Sequence, residues 1–274
     1  MTIISFINMK GGVGKTTSVV ELGTILATEH DKRVLIIDID PQTNSTFSLI
    51  GLDEWGRIKD TATIADVLGM NKGLSSRDEE YDINDAIIED VSSIKNLDLI
   101  PSHIELTFLD IDLSSEPGRE NILSRQIEKL ETDYDFILID CPPNLTIAPQ
   151  NALVVSDYII VPVSPEFYAA IGLPLLISRV NQLKRKLPGC TVEILGILFT
   201  QVRNTRDHNH HLDSIRRTCN SELYIETFQT VIPFTTKISE AAKYNKPATL
   251  INPNENGIIA YKNFAEELIL TLED

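Results

Sequence analysis

An α/β fold, with a mostly parallel twisted sheet covered by helices on both faces, is what this 274-residue sequence predicts. Three observations predict it. Short β-branched apolar runs alternate with longer stretches of helical periodicity from one end of the chain to the other. The runs are apolar at nearly every position, as strands buried on both faces are. Two of them, RVLIIDI and FILID, finish in or beside aspartates. The carboxyl ends of strands are where such sheets gather their chemistry.

The elements follow in order. Residues 2–8 (TIISFIN) read as a buried strand that runs into glycines. From Thr16 to about Glu29 a helix buries Val19, Val20, Leu22, Leu26 and Ala27. Residues 33–39 (RVLIIDI) form the second strand. The stretch from about 50 to 96 is the least regular. It carries Gly51, Gly56, Gly69, Gly73 and the acidic run Asp78-Glu79-Glu80, and reads as an excursion with one short helix near Thr63–Leu68. Residues 97–100 (LDLI) form a strand and about 117–132 a helix. FILID (136–140) and YIIVPV (158–163) are strands, a helix covers about 170–187, and VEILGILFT (192–200) is a strand. A helix at about 207–221 and a short strand, FQTVI (228–232), precede Pro233, and helices at about 237–244 and 255–272 close the chain. With no internal repeat and no low-complexity linker, residues 1–274 read as one domain.

At 42% hydrophobic the chain can bury a sizeable core. No run approaches the ~20 apolar residues of a membrane span. The opening MTIISFINMKGG lacks a basic region followed by a long apolar one, so no signal peptide is expected. Cys141, Cys190 and Cys219 are widely spaced, form no CxxC pair and fit a reducing cytoplasm. Cys141 reads as a small packing residue. The net charge of −16 is unevenly placed: residues 50–135 carry 21 acidic against 8 basic side chains, whereas residues 176–217 carry 8 basic against 3 acidic. Bulk acidity argues against a protein that coats nucleic acid by overall charge, but leaves room for a local basic patch.

The most specific signal lies at the start, in INMKGGVGKTT. Gly11, Gly12, Val13, Gly14, Lys15, Thr16 and Thr17 stand between a strand and a helix. Glycines there let backbone N–H groups approach phosphate, and the helix start favours an anion. Lys15 is placed to reach the terminal phosphates and the Thr16 hydroxyl to ligate Mg²⁺. The strict G-x-x-x-x-G-K-[ST] spacing fails, because its first glycine position holds Met9. A second lysine, Lys10, brings another positive charge beside the phosphates, where it can stabilise phosphoryl transfer.

KGGVGKTT resembles the deviant Walker A signature of the ParA/MinD class of P-loop ATPases. The resemblance implies ATP and Mg²⁺ as cofactors. It makes Lys15 the lysine that serves its own subunit and Lys10 the one that reaches across a homodimer. DIDPQTN (38–44) resembles the class's second motif, which implies that Asp40 orients the attacking water and that Asp38 lies near the Mg²⁺ shell. FILIDCPP (136–143) resembles its Walker B strand, which implies that Asp140 holds Mg²⁺. VPVSPEFYAAIGL (161–173) and VIPFTTKISEAAKYNKPA (231–248) resemble the ParA/Soj partition branch. In the second segment Lys237 stands where arginine is common and Asn245 where glycine is usual. The branch's adenine pocket maps onto Gln201 and Pro233.

The partition resemblance implies an ATP-bound dimer that binds DNA without sequence preference and is nucleoid-associated in that state. A ParB-like centromere-binding partner would reset it by stimulating hydrolysis. Arg203, Arg206, Arg216, Arg217 and Lys237 are the candidate DNA contacts. Two alternatives share the site: an ATP-dependent DNA-bound transcriptional regulator with little turnover, and a MinD-like ATPase that works on a membrane surface. The tail AYKNFAEELILTLED has Phe264, Leu268, Ile269 and Leu272 on one side but Glu266, Glu267, Glu273 and Asp274 on the other. Anionic lipid repels such a helix, so it is expected to dock on the core rather than on a membrane. His208 and His211 in HNHH share a helical spacing but lack a third ligand, and read as surface.

Overall fold

The computed structural model describes residues 1–70 and 81–273. Gly73 and the run Asp78-Glu79-Glu80 lie outside the described residues. Seven strands form one sheet in the order β3-β2-β4-β1-β5-β6-β7. They are β1 (Thr2–Phe6), β2 (Val34–Asp38), β3 (Leu97–Ile100), β4 (Phe136–Asp140), β5 (Tyr158–Val163), β6 (Glu193–Val202) and β7 (Thr227–Pro233). Every neighbouring pair runs parallel. The principal helices are α1 (Lys15–Glu29), α2 (Asn44–Ile58), α3 (Ile122–Ile127), α4 (Ile147–Val155), α5 (Ala169–Lys186), α6 (Arg206–Thr218), α7 (Thr236–Ala241) and α8 (Asn256–Glu273).

Strand alternation divides the core into two layers. Ile4, Phe6, Val34, Ile36 and Leu138 join Val19, Leu22, Ile25 and Leu26 of α1 and Tyr261, Phe264 and Leu268 of α8. Ile3, Leu35, Ile37, Ile137 and Ile139 point the other way, toward Leu153 of α4, Leu176 and Val180 of α5 and Ile215 of α6. Each such buried aliphatic contributes roughly 1.5–3 kcal/mol. A strand apolar on both faces is therefore held in place by both layers. The register sets Asp38 beside Asp140, and Phe6 beside Asp140. The two acid-ending strands, β2 and β4, thus lie side by side, and β4 pairs directly with β1, the strand that feeds the glycine loop.

The structure departs from the sequence reading in three places. The helix α2 occupies part of the stretch taken as irregular. Gly51 breaks it with φ 76 and ψ 168, which hides its period. Long-range contacts hold it instead: Trp55 packs edge-on against Phe47, stacks on His103 and donates its indole N–H to the Ser102 carbonyl. The helix α4 was not expected because it is almost wholly buried and shows no polar face. The helix expected at about 117–132 is shorter: a 3-10 turn at Arg119–Asn121 leads into the six-residue α3. The expected short helix is present as the turn Ile64–Val67, closed by a capping box between Thr63 and Asp66.

Candidate nucleotide-phosphate site

The loop after β1 is built on two left-handed glycines, Gly12 (φ 73) and Gly14 (φ 84). An L side chain at either would be strained. Gly14 also precedes α1, and no side chain caps the helix. Its first-turn N–H groups are therefore free to meet an anion. The end of β6 braces the loop from outside. Thr200 donates its hydroxyl to the Val13 carbonyl at 2.7 Å, and Gln201 donates its amide to the Gly12 carbonyl at 2.7 Å.

The two lysines diverge. Lys15 is buried, and its ammonium donates to the Lys10 carbonyl at 3.4 Å. Burial lowers its pKa, opposed chiefly by the charge of Asp140. Lys10 turns away: its ammonium donates to Glu166 Oε2 at 2.6 Å in the loop after β5. The Lys10 N–H donates to Asn8 Oδ1 at 2.9 Å, and Asn8 Nδ2 donates to the Pro162 carbonyl at 2.7 Å. A cavity of about 360 Å³ lies beside them, lined by Asn8, Met9, Lys10, Val13, Val163 and Tyr168 among others.

Three carboxylates face the loop. Asp140 Oδ2 accepts from the Thr16 hydroxyl at 2.8 Å and the Ser45 hydroxyl at 2.7 Å. Its Oδ1 is buried with no hydrogen-bond partner. Burial pushes the Asp140 pKa up to about 6. Asp38 Oδ2 accepts from the Thr46 N–H at 2.9 Å and the Thr46 hydroxyl at 2.8 Å. Burial, then the neighbouring Asp140, raises its pKa well above the usual carboxylate range. Asp40 begins the turn into α2. Its Oδ1 accepts from the Gln42 N–H at 2.9 Å, and its carbonyl accepts from the Ser102 hydroxyl at 2.6 Å.

Two buried carboxylates with one bare oxygen, beside a hydroxyl and a loop of N–H donors, make an unbalanced site by themselves. An oxygen-rich set of this kind suits a hard divalent cation such as Mg²⁺, so these residues fit the group. Sequence reading missed Ser45, Thr46, Ser102, Thr200 and Glu166. The hydroxyl pair after DIDPQTN was the available signal for the first two. Ser102, Thr200 and Glu166 reach the site only through the sheet.

The other candidates are spread along the same end of the sheet. Gln201 lies against the loop, with φ 54. Pro233 ends β7 opposite Val202 of β6. Arg203 is exposed and sits over the Phe234 ring at 4.3 Å. Arg206 and Arg217 are exposed at the two ends of α6. Lys237 pairs with Glu240 at 2.8 Å in α7. Arg216 is half-buried, donates to the Phe228 and Gln229 carbonyls at 3.2 and 3.3 Å, and covers the Phe199 ring. Its guanidinium joins α6 to β7.

His208 accepts from the Arg203 N–H, and His211 packs edge-on against Phe167. Among the described residues no cluster of three or more His, Cys, Asp or Glu could hold a metal by itself. The helix α8 buries Phe264 and Leu268, and its Glu267 accepts from the N–H groups of Gln229 and Thr230. Among the described residues no helix is long and apolar enough to cross a membrane. All three cysteines are buried and free.

A glycine loop between a parallel strand and a helix, a buried lysine on it and aspartates ending two adjacent strands define a P-loop nucleotide-hydrolysing protein. Comparison with known proteins carries this further. A family model described as an AAA domain matches residues 1–191. The sporulation initiation inhibitor protein Soj of Bacillus subtilis is 34% identical over 275 residues, 97% of each chain. The chromosome partitioning protein ParA of Caulobacter vibrioides is 31% identical over 271 residues, 98% of this chain and 94% of ParA. A Mycobacterium smegmatis structure described as cobyrinic acid a,c-diamide synthase, with ADP and magnesium, superposes with TM-score 0.79 at 27% identity, covering 100% and 96% of the two chains. A Borrelia burgdorferi plasmid partition protein bound to AMPPNP gives TM-score 0.76 at 27% identity over 98% of each chain. The chain belongs to the ParA/Soj family of P-loop ATPases. It is an ATPase whose cofactors are ATP and Mg²⁺.

Proposed function

We propose that this chain is a partition ATPase, a single domain over residues 1–274 that switches between a free and a DNA-bound state. The observation that carries the reading is the second lysine, Lys10, which precedes the phosphate loop yet pairs with Glu166 in the loop after β5. Full-length similarity to Soj and ParA supports the same reading.

In this reading the N–H groups of residues 11–17 and Lys15 hold the phosphates. Thr16 and Asp140, with Asp38 beside them, would hold Mg²⁺, which would neutralise phosphate charge. Asp40 orients the attacking water and draws off its proton. Two ATP-bound subunits close face to face, with Lys10 reaching across. Arg203, Arg206, Arg217 and Lys237 then meet DNA phosphates without reading base sequence. A ParB-like centromere-bound partner stimulates hydrolysis and resets the cycle. The protein works in the cytoplasm, on the nucleoid when ATP is bound.

The test is fluorescence anisotropy of a random-sequence duplex with ADP or ATP at two salt concentrations. Binding that needs ATP and weakens with salt is expected, because phosphate contacts release counterions. Equal binding in ADP and ATP, or none in either, removes the DNA switch.

A further inference from the structure

We propose that Glu166 is the positioning residue of Lys10, holding its ammonium on its own subunit until a second copy's bound phosphates take it over. The proposal rests on the reading of Lys10 as the lysine that crosses between subunits.

Four observations carry it. The ammonium and the carboxylate meet at 2.6 Å across 156 residues of sequence, so the pair is a tertiary arrangement and not a local turn. Both ends are placed. Asn8 joins the Lys10 N–H to the Pro162 carbonyl, which fixes the start of the loop against the end of β5. The Ser164 hydroxyl donates to the other oxygen of Glu166 at 3.3 Å. The pairing with Lys10 holds the Glu166 carboxyl below its ordinary pKa, so it stays charged.

The second observation is electrostatic. Lys15 already supplies the ammonium that the subunit's own phosphates need. A free Lys10, five residues away, would compete for the same phosphates in cis. A carboxylate outside the loop removes that competition and leaves the lysine facing outward.

Third, the pair has the strength of a bias and not of a lock. Lys10 and Glu166 are 40% and 49% exposed, so water screens them. A multiply charged phosphate brought by a second copy outcompetes one carboxylate.

Fourth, the surroundings suit a covered surface. Met9, Phe167, Tyr168 and Ile171 are 40–72% exposed along the neighbouring chain segments. Exposed large apolar side chains gathered near a charge pair mark a face that another protein covers. When a second copy covers this face, water is excluded and both charges must find their final partners.

The experiment compares the full-length wild type with Glu166→Gln, which keeps the side-chain shape and removes the charge. The first readout is the rate at which trace acetic anhydride labels the Lys10 amine without nucleotide, followed by mass spectrometry. The second is the dimer dissociation constant with ATP and Mg²⁺, from sedimentation velocity at low and high salt. Loss of the pair is expected to speed labelling and to tighten the ATP-bound dimer, each about two- to fivefold. The difference between the two proteins in dimer affinity should shrink at high salt, which a merely structural change would not do. Unchanged labelling overturns the pair. Faster labelling with an unchanged or weaker dimer overturns the positioning role while the crossing lysine stands. A wild type that does not dimerise with ATP overturns the crossing lysine and the role of Glu166 with it.

Discussion

The Thr16 hydroxyl donates to Asp140 Oδ2 across 2.8 Å, joining the first turn of α1 to the end of β4. Ser45 donates to the same oxygen, while Oδ1 is buried and unpartnered. The glycine loop and the end of β4 are thus linked, and one carboxylate oxygen is left to a cation. Asp140→Asn is expected to keep the hydroxyl contacts but remove the charge. Adding Mg²⁺ with ADP should raise the melting temperature of the wild type, and Asp140→Asn should lose most of that rise in differential scanning calorimetry. An equal rise in both proteins would remove Asp140 from the metal site.

The Lys10 ammonium pairs with Glu166, so Lys10→Gln is expected to leave ATP binding within a few-fold of wild type. The same variant should lose the dimer that forms with ATP. Light scattering with ATP and Mg²⁺ gives the mass directly. A dimer mass equal to that of the wild type would show that Lys10 does not act across subunits.

Asp40 is buried at the turn into α2, with its backbone held by Ser102 and its side chain by the Gln42 N–H. These bonds fix its position at the turn. Asp40→Ala should bind ATP and lose about 10²–10⁴-fold in kcat, the usual contribution of a positioned base. Single-turnover hydrolysis measures it. A loss below tenfold would assign the water to another group. The cycling model also expects segregation to fail with this variant; persistence would favour a DNA-bound regulator with little turnover.

Glu21, deep in α1, accepts from the N–H groups of Ala248 and Thr249 and from the Thr249 hydroxyl. It caps the turn Ala248–Ile251 from the opposite side of the chain. Burial raises its pKa. In Glu21→Gln one amide oxygen replaces a carboxylate that accepts three bonds, so donors are left unmatched. The expected cost is about 1–3 kcal/mol in urea unfolding, with the fold retained. An unchanged midpoint would mean that the turn holds without this cap.

The motifs of the candidate site were legible because they are local. Left-handed glycines, a lysine, two hydroxyl residues and strand-ending aspartates each announce themselves within a few positions, and the structure gathers Lys15, Thr16, Asp38, Asp40 and Asp140 at one end of the sheet. The helices α2 and α4 were harder to read. One is interrupted at Gly51 and held by Trp55 against His103; the other is buried nearly all round. Neither carries the polar and apolar faces by which a helix is recognised. The contacts of Arg216 with Phe228, Gln229 and Phe199 were not legible, because charge is visible in sequence and packing is not.

The sequence by itself determined the parallel α/β class, the phosphate loop and the acids that serve it, since each depends on residue type at short spacing. Only the tertiary structure decided where the two lysines point. Lys10 and Lys15 are five residues apart, yet one is buried beside Asp140 and the other pairs with Glu166. That difference arises because the sheet order sets β1 between β4 and β5, and so brings acids from both neighbours to opposite sides of one loop.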